Sequence, residues 1–371
     1  MSLDGTPLLL AGMALVLLTA AGLAWRWDRA GGPARTGWVL GCVLAVLVTA
    51  GLQVNRLTET FPSWSTLFQG TAAVEEDDSS LADDPPPPTP APAPSSTPEV
   101  PGPPSGPLTA AWSLTPPGER SSVVKVLVAG RASKLTLTMY VYLPPGYAQH
   151  PTRRYPVIEA LHGFPGSPKT WLNRLTVQSV LDAEIAAGRM APTVVLLPYQ
   201  TPSPLIDTEC TDIVRGAKAE TFLTVDVPAY AAAHFRIRTD GRAWGLIGYS
   251  AGAYCAINLS LKHPDRYAAG ASLSGYGEPG IVVGDGSERT TNNDVWRLAQ
   301  LPQPPVGLYL AWAHDDQASH REGLRLAGLA RAPLRVTTAV VAFGGHNLPA
   351  WREMEAPAFD WLSAQLARPQ G

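Results

Sequence analysis

One serine in this chain has the surroundings of a covalent nucleophile. Ser250 is the centre of the sequence Gly-Tyr-Ser-Ala-Gly at residues 248–252. A short apolar run at residues 243–247 leads into it, and a helix-like run at residues 253–261 follows. Strand, sharp turn and helix are the setting in which a serine hydroxyl is held exposed on a strained backbone. The pattern predicts that Ser250 is a nucleophile, and the alternative is a Gly/Ser turn that only caps the helix.

A serine nucleophile needs a general base, and the base needs an acid that orients it. In α/β-hydrolases these residues follow in the order serine, acid, histidine. His346 comes after two glycines at the end of the last predicted strand, so it is the expected base. The alternative is a surface histidine that caps the following helix.

Two neighbouring carboxylates compete for the role of the acid. Asp315 and Asp316 both follow the predicted strand that ends at Trp312. We favour Asp316, because it lies three residues after the small residue Ala313, as in the turn that usually carries the acid in this fold. Asp315 is the alternative acid, and the other aspartate would be solvated or would cap the next helix.

Acyl chemistry also needs hydrogen-bond donors aimed at the oxyanion. The backbone N–H of Ala251, directly after the nucleophile, is the first expected donor. The second should come from the loop at residues 161–166, where we expect the N–H of Phe164. Pro165 has no N–H and is excluded. The alternative is an ordinary Gly/Pro turn.

The composition limits the remaining function classes. The formal net charge is −3, which gives no electrostatic basis for binding nucleic acid. The three cysteines lack the paired spacing of a zinc or haem site. We therefore expect no metal and no organic cofactor.

The first 57 residues are expected to form a membrane anchor. The apolar runs at residues 8–25 and 37–54 are each long enough to cross a bilayer as a helix. Arg26, Arg29 and Arg35 lie between them, which places that loop in the cytoplasm and everything after the second span outside. A cleaved signal peptide for the first run and a buried hairpin of a soluble core are the alternatives.

Residues 58–120 and 121–371 differ sharply in composition. The first segment is acidic and then rich in proline, which predicts an extended, disordered linker. The second contains a leading β-hairpin and then strands alternating with helices, among them a helix over residues 219–234 and one beginning at Pro357. Such alternation predicts an α/β fold with a mainly parallel sheet covered by helices on both faces.

The folded segment resembles the putative esterase family, which contains esterase D (S-formylglutathione hydrolase), feruloyl esterases, enterochelin esterases and the antigen 85 mycolyltransferases. The matching stretches are residues 140–147, 155–158, 161–163, 220–223, 248–252, 263–267 and 344–347 with 351–352. The resemblance implies the α/β-hydrolase fold, with Ser250, Asp316 and His346 as the triad and the Phe164 and Ala251 amides as oxyanion donors. The two preceding spans resemble those of membrane-anchored actinobacterial members.

Within that fold, the loop that carries Cys210 and the helix that carries Cys255 lie close to one site. In an oxidising exterior the two cysteines could therefore form a disulfide. Two separate buried thiols are the alternative.

These observations predict a serine esterase or acyltransferase anchored in the plasma membrane, with its catalytic domain outside the cytoplasm. Its substrate would be a small-molecule ester or an envelope lipid or sugar ester. The alternatives are a non-catalytic envelope-binding protein on the same fold and a serine peptidase.

Overall fold

A computed structural model of the chain describes residues 6–58, 120–342 and 344–371. The predicted linker at 58–120 lies almost entirely outside the described residues. Two bodies are described, an N-terminal helical hairpin and an α/β domain.

The hairpin consists of helices α1 (Thr6–Arg26) and α2 (Gly32–Thr58). Both contain windows long and apolar enough to span a membrane, at Pro7–Arg26 and Gly32–Asn55. The helices approach closely at glycines, because a Cβ on Gly12 would lie 2.9 Å from Thr49 Oγ1 and one on Gly22 would lie 2.6 Å from the Trp38 ring. Small residues at helix contacts are typical of membrane hairpins, where packing rather than the hydrophobic effect drives association.

The α/β domain is built on one eight-stranded sheet. Its strands are β1 (Ser122–Ala129), β2 (Thr136–Leu143), β3 (Val157–Leu161), β4 (Val194–Pro198), β5 (Trp244–Tyr249), β6 (Ala269–Leu273), β7 (Gly307–Ala313) and β8 (Arg335–Val341). The spatial order is β1-β2-β4-β3-β5-β6-β7-β8. β1 pairs antiparallel with β2, and β2 with β4, while all later pairs are parallel. The predicted α/β-hydrolase fold is confirmed.

Helices cover both faces of the sheet, as buried parallel strands require. The described helices of the domain are α3 (Val177–Ala186), α4 (Val227–His234), α5 (Ala251–Lys262), α6 (Asp294–Gln300), α7 (Gln317–Leu329) and α8 (Leu348–Gln365). α3 and α8 pack on one face, and α4 to α7 contribute to the cores on the other. Side chains of β7 alternate between these cores, with Tyr309 on the first side and Leu308 and Leu310 on the second.

Two helices differ from the sequence expectation. The region 219–234 is not one regular helix, because a wider turn at Phe222–Asp226 precedes α4. α8 begins at Leu348 rather than at Pro357, because the Asn347 side chain caps it by accepting a hydrogen bond from the Ala350 N–H. Pro357 therefore lies inside the helix. The helix α6 was not predicted from the sequence.

Candidate active site

The turn between β5 and α5 holds Ser250 in a strained conformation. Its φ of 56° and ψ of −123° are rare for a residue with a side chain. The glycines of the turn explain why the chain can bend so sharply. A Cβ on Gly248 would lie 2.0 Å from the Gly252 carbonyl oxygen, and one on Gly252 would lie 2.3 Å from the Leu161 carbonyl oxygen. Only glycine fits at either position, so this turn, residues 248–252, presents Ser250 at the carboxyl edge of the sheet. We call it the elbow.

His346 lies on the loop between β8 and α8 and contacts both expected partners. Its Nε2 is 2.9 Å from Ser250 Oγ, and its Nδ1 is 2.9 Å from Asp316 Oδ2. The edge of the imidazole packs against Trp351, with ring centroids 5.2 Å apart. The histidine is therefore held in the orientation in which one ring nitrogen faces the hydroxyl and the other the carboxylate.

Asp316 is buried, with 4% of its side chain exposed. Burial alone would raise the pKa of this carboxyl, but the hydrogen bonds from His346 and Ser319 outweigh that effect and hold the pKa below its ordinary value. Oδ1 accepts a hydrogen bond from the Ser319 N–H at 3.2 Å, so the same side chain caps α7. The carboxylate is thus ionised and fixed beside the imidazole.

Asp315 occupies a different environment, although it is the next residue. Its side chain is 63% exposed and lies 3.2 Å from the exposed His314 ring. It makes no contact with His346. The structure therefore brings Asp316, and not Asp315, to the imidazole.

The two expected oxyanion donors belong to segments that meet at Ser250. Ala251 is the first residue of α5, where backbone N–H groups have no partner within the helix. Phe164 follows Gly163, which lies so close to the elbow that a Cβ on it would be 3.1 Å from Ser250 Cβ. The structure therefore brings the segments of both expected donors to Ser250.

His162 fixes the peptide that carries the Phe164 N–H. Its Nδ1 is 2.8 Å from the Gly163 carbonyl oxygen. Burial lowers the pKa of His162 to about 4, although this hydrogen bond acts in the opposite direction, so the ring is neutral and Nδ1–H is the donor. In a trans peptide the N–H points away from the C=O. Holding the Gly163 oxygen on the histidine therefore directs the Phe164 N–H to the opposite side.

A disulfide attaches the long loop after β4 to α5, the helix that begins after Ser250. It joins Cys210 to Cys255, five residues beyond Ser250. Beside it the buried Glu209 accepts hydrogen bonds from the Tyr276 hydroxyl at 2.6 Å and from the Gly280 N–H at 2.9 Å. The loops after β4 and β6 are thereby tied to each other and to α5.

The described residues contain no group of three or more histidine, cysteine, aspartate or glutamate side chains placed to hold a metal ion. Cys42 in α2 is the free cysteine of the described chain.

Comparison with known proteins decides the family. Residues 132–358, more than half of the chain, match the model of the family described as putative esterases. The chain belongs to the putative esterase family. Membership confirms the resemblance seen in the sequence and the enzyme class, that of the serine hydrolases.

Similarity to individual members of the esterase family is lower. An uncharacterized protein of Corynebacterium glutamicum is 27% identical over 66% of this chain and 62% of its own length. The diacylglycerol acyltransferase/mycolyltransferase Ag85A of Mycobacterium gordonae is 30% identical over 36% of this chain and 38% of its own length. The chain thus spans less than two thirds of either relative.

Solved structures share the fold. A ferulic acid esterase superposes with a TM-score of 0.59 at 20% identity, covering 67% of this chain and all of that one. An S-formylglutathione hydrolase from Agrobacterium tumefaciens superposes with a TM-score of 0.57 at 13% identity, and the match covers 67% of this chain and 96% of that one.

Besides His162, whose bond to the Gly163 carbonyl was not expected, three residues of this esterase-family site were not identified from the sequence. Ser319 contacts both Asp316 and His346, with its Oγ 3.5 Å from His346 Nδ1. Trp351 was noted only as a family match, and its contact with the imidazole was not expected. Gln200 donates to the His162 carbonyl at 2.6 Å. The helix-capping spacing Asp316-x-x-Ser319 was the one signal that could have revealed any of them.

Proposed function

We propose that this protein cleaves or transfers acyl groups from carboxylic esters through a covalent intermediate on Ser250. The observation that carries the proposal is the continuous hydrogen-bond chain from Ser250 through His346 to Asp316, with both links at 2.9 Å. His346 Nε2 takes the hydroxyl proton as Ser250 Oγ attacks the ester carbonyl. The ionised Asp316 holds the imidazole in the required tautomer and stabilises its charged form.

The tetrahedral oxygen that forms in this step needs donors in place beforehand. The N–H groups of Ala251 and Phe164 fill that role, the second oriented through His162. The protonated His346 then gives its proton to the leaving alcohol, and the acyl group remains on Ser250. Water or an acceptor hydroxyl, deprotonated by His346, releases the acyl group and restores the serine.

Transfer to a hydroxyl acceptor is the second outcome of the same machinery. The relatives named diacylglycerol acyltransferase/mycolyltransferase support it, whereas the ferulic acid esterase and S-formylglutathione hydrolase folds support hydrolysis. The site would take an ester of an envelope lipid or sugar, or a small soluble ester. A purely binding role and a peptidase role are the competing assignments.

The enzyme is proposed to be anchored in the plasma membrane with its α/β domain outside. The two apolar helices support this topology, as do Arg26, Arg29 and Arg35 at and between the ends where the helices meet. Single cysteines at residues 32 and 95, probed in whole cells with a membrane-impermeant thiol reagent, test it. Labelling at 95 alone is expected, and labelling at 32 alone would reverse the orientation.

The activity is tested with the full chain and a panel of acyl esters, each with and without sugar and diacylglycerol acceptors. Product analysis separates free acid from transferred acyl groups. Ser250→Ala is the matched control, and we expect it to lower turnover by roughly 10⁴- to 10⁶-fold, as in other triad knockouts. Turnover that is unaffected in Ser250→Ala, or cleavage of peptides but not esters, would contradict the proposal.

A further inference from the structure

Exposed aliphatic side chains are concentrated at one edge of the α/β domain. Among its described residues, eight large hydrophobic side chains are exposed, and four of them lie on the loops after β4 and β6. These four are Leu205, Ile206, Val214 and Val282, and we call them the rim residues. Val282 and Leu205 are 76% and 73% exposed, the highest values among the large hydrophobic residues described in the domain. Apolar side chains grouped in this way mark surfaces that meet another apolar body.

The two loops form one rim beside the candidate active site. The Val214 N–H donates to the Val283 carbonyl at 2.9 Å, which joins the loops directly. The Cys210–Cys255 disulfide attaches the first loop to the helix that begins after Ser250. The rim therefore lies at the carboxyl edge of the sheet, where the triad also lies.

The exposure of the rim residues does not come from a loosely held backbone. Thr201 Oγ1 donates to the Ile206 carbonyl at 2.6 Å, and Thr208 Oγ1 donates to the Gln200 carbonyl at 2.9 Å. These bonds close the segment that carries Leu205 and Ile206 into a compact turn. The side chains are held outward by an ordered loop.

Charges on the two loops are mostly satisfied within the domain. The buried Glu209 carboxylate accepts hydrogen bonds from the Tyr276 hydroxyl and the Gly280 N–H. The Asp212 carboxylate accepts one from the Thr221 hydroxyl at 2.6 Å. Arg289 lies 3.3 Å from Glu288. Of the other exposed charges, Arg215 and Lys218 are positive and Asp285 is negative. Binding at this surface would therefore depend on apolar contact and only weakly on salt.

A lipid bilayer in contact with the chain fits this surface. The chain carries two helices of membrane-spanning length, and 61 residues, 59–119, connect them to the domain. A chain of that length reaches at most about 200 Å, so it permits the rim to meet the bilayer that holds the anchor. Tethering raises the local concentration of lipid at the rim without any new contact.

We propose that the rim residues dock the α/β domain onto the bilayer in which its own anchor lies, so that lipid esters enter the site from the membrane. This inference rests on the membrane anchoring in the proposed function. Docking would turn the carboxyl edge of the sheet, with Ser250, toward the lipid.

The test uses the full chain in phospholipid nanodiscs, in a Cys42→Ala background that leaves the Cys210–Cys255 disulfide as the remaining cysteine pair. A bimane label is placed at Val282→Cys or Leu205→Cys and, as matched controls, at Leu324→Cys or Val340→Cys. The control side chains are also exposed, at 55% and 53%, but lie on α7 and β8. Phospholipids with nitroxide groups on their acyl chains serve as quenchers. We expect bimane quenching at residues 282 and 205 to be at least three times the quenching at residues 324 and 340. This ratio should not change in 1 M NaCl.

Three results would overturn docking. Equal quenching at all four positions shows that the rim does not meet the acyl chains. A blue-shifted emission at 282 without lipid quenching shows that protein covers the rim, either a second copy or residues 59–119. A double variant, Leu205→Ser with Val282→Ser, should lower the ratio of vesicle-ester to soluble-ester turnover at least tenfold, and an unchanged ratio counts against the proposal. Because soluble-ester turnover is measured on the same samples, failure of the catalytic proposal is seen separately from failure of docking.

Discussion

The turn that carries Ser250 and the turn that carries Asp316 reach the same edge of the sheet by different means. At the elbow, backbone packing leaves no choice of residue, since added Cβ atoms on Gly248 and Gly252 would lie 2.0 and 2.3 Å from carbonyl oxygens. At the acid turn, two adjacent aspartates are both sterically allowed. Asp316 is selected because it alone is buried against His346 while it also caps α7. The first position is set by local geometry and the second by a contact between distant segments.

The largest expected effect would separate the two aspartates. Asp316→Asn should lower kcat about 10⁴-fold, because an amide favours the wrong His346 tautomer. Asparagine is also a good helix cap, so the stability of α7 should change little. Asp315→Asn is the matched control and should leave the rate within about threefold, since its side chain is solvated. Steady-state kinetics of ester turnover measure both rates. If Asp315→Asn is the variant that loses most of its kcat, Asp315 and not Asp316 is the acid.

The disulfide should contribute to stability rather than to chemistry. A cross-link that closes a loop of this size, with its cysteines 45 residues apart, is worth about 4 kcal/mol in the chain-entropy model. Cys210→Ser with Cys255→Ser should therefore lower the free energy of unfolding by about that amount in urea titration. Thiol counting on the denatured, unreduced chain should find one free thiol, Cys42. Three free thiols would show that the pair does not form.

Adding a single methyl group at a glycine of the elbow should destabilise the fold. Gly248→Ala should cost about 1–3 kcal/mol of stability or more, because its Cβ meets backbone atoms that cannot move independently. Gly328→Ala is the matched control, since that glycine lies in α7 with nothing within 4 Å of the added Cβ. Gly328→Ala should raise the free energy of unfolding by roughly 0.5–1 kcal/mol. Equal unfolding free energies for the two variants would mean that the elbow is not packed as described.

The smallest effect concerns the support of the oxyanion donor. His162→Ala should lower kcat by about 10- to 100-fold with little change in KM, a fraction of what loss of a whole donor costs. His150→Ala, a surface histidine, should be neutral. A rise in KM alone would assign His162 to substrate binding instead of to the Gly163–Phe164 peptide.

The same contrast explains how much the sequence could predict. The periodic apolar segments that form strands, the strand-turn-helix sequence around Ser250 and the Gly-Gly-His loop could be predicted, because each depends on neighbours in the chain. The predicted start of α8 at Pro357 was wrong, because the cap at Asn347 sets the start at Leu348, nine residues earlier. Ser319, Gln200 and the contact of Trp351 could not be inferred, because they reach the site only when separate strand ends meet.

The central claim is that Ser250 is the nucleophile of this site. Intact-mass analysis of the full chain after treatment with a fluorophosphonate tests it most directly, followed by peptide mapping of the adduct. We expect one phosphonyl group per chain, located on Ser250, no labelling of Ser250→Ala, and slowed labelling of Asp316→Asn. An adduct on another residue, or undiminished labelling of Ser250→Ala, would contradict the account.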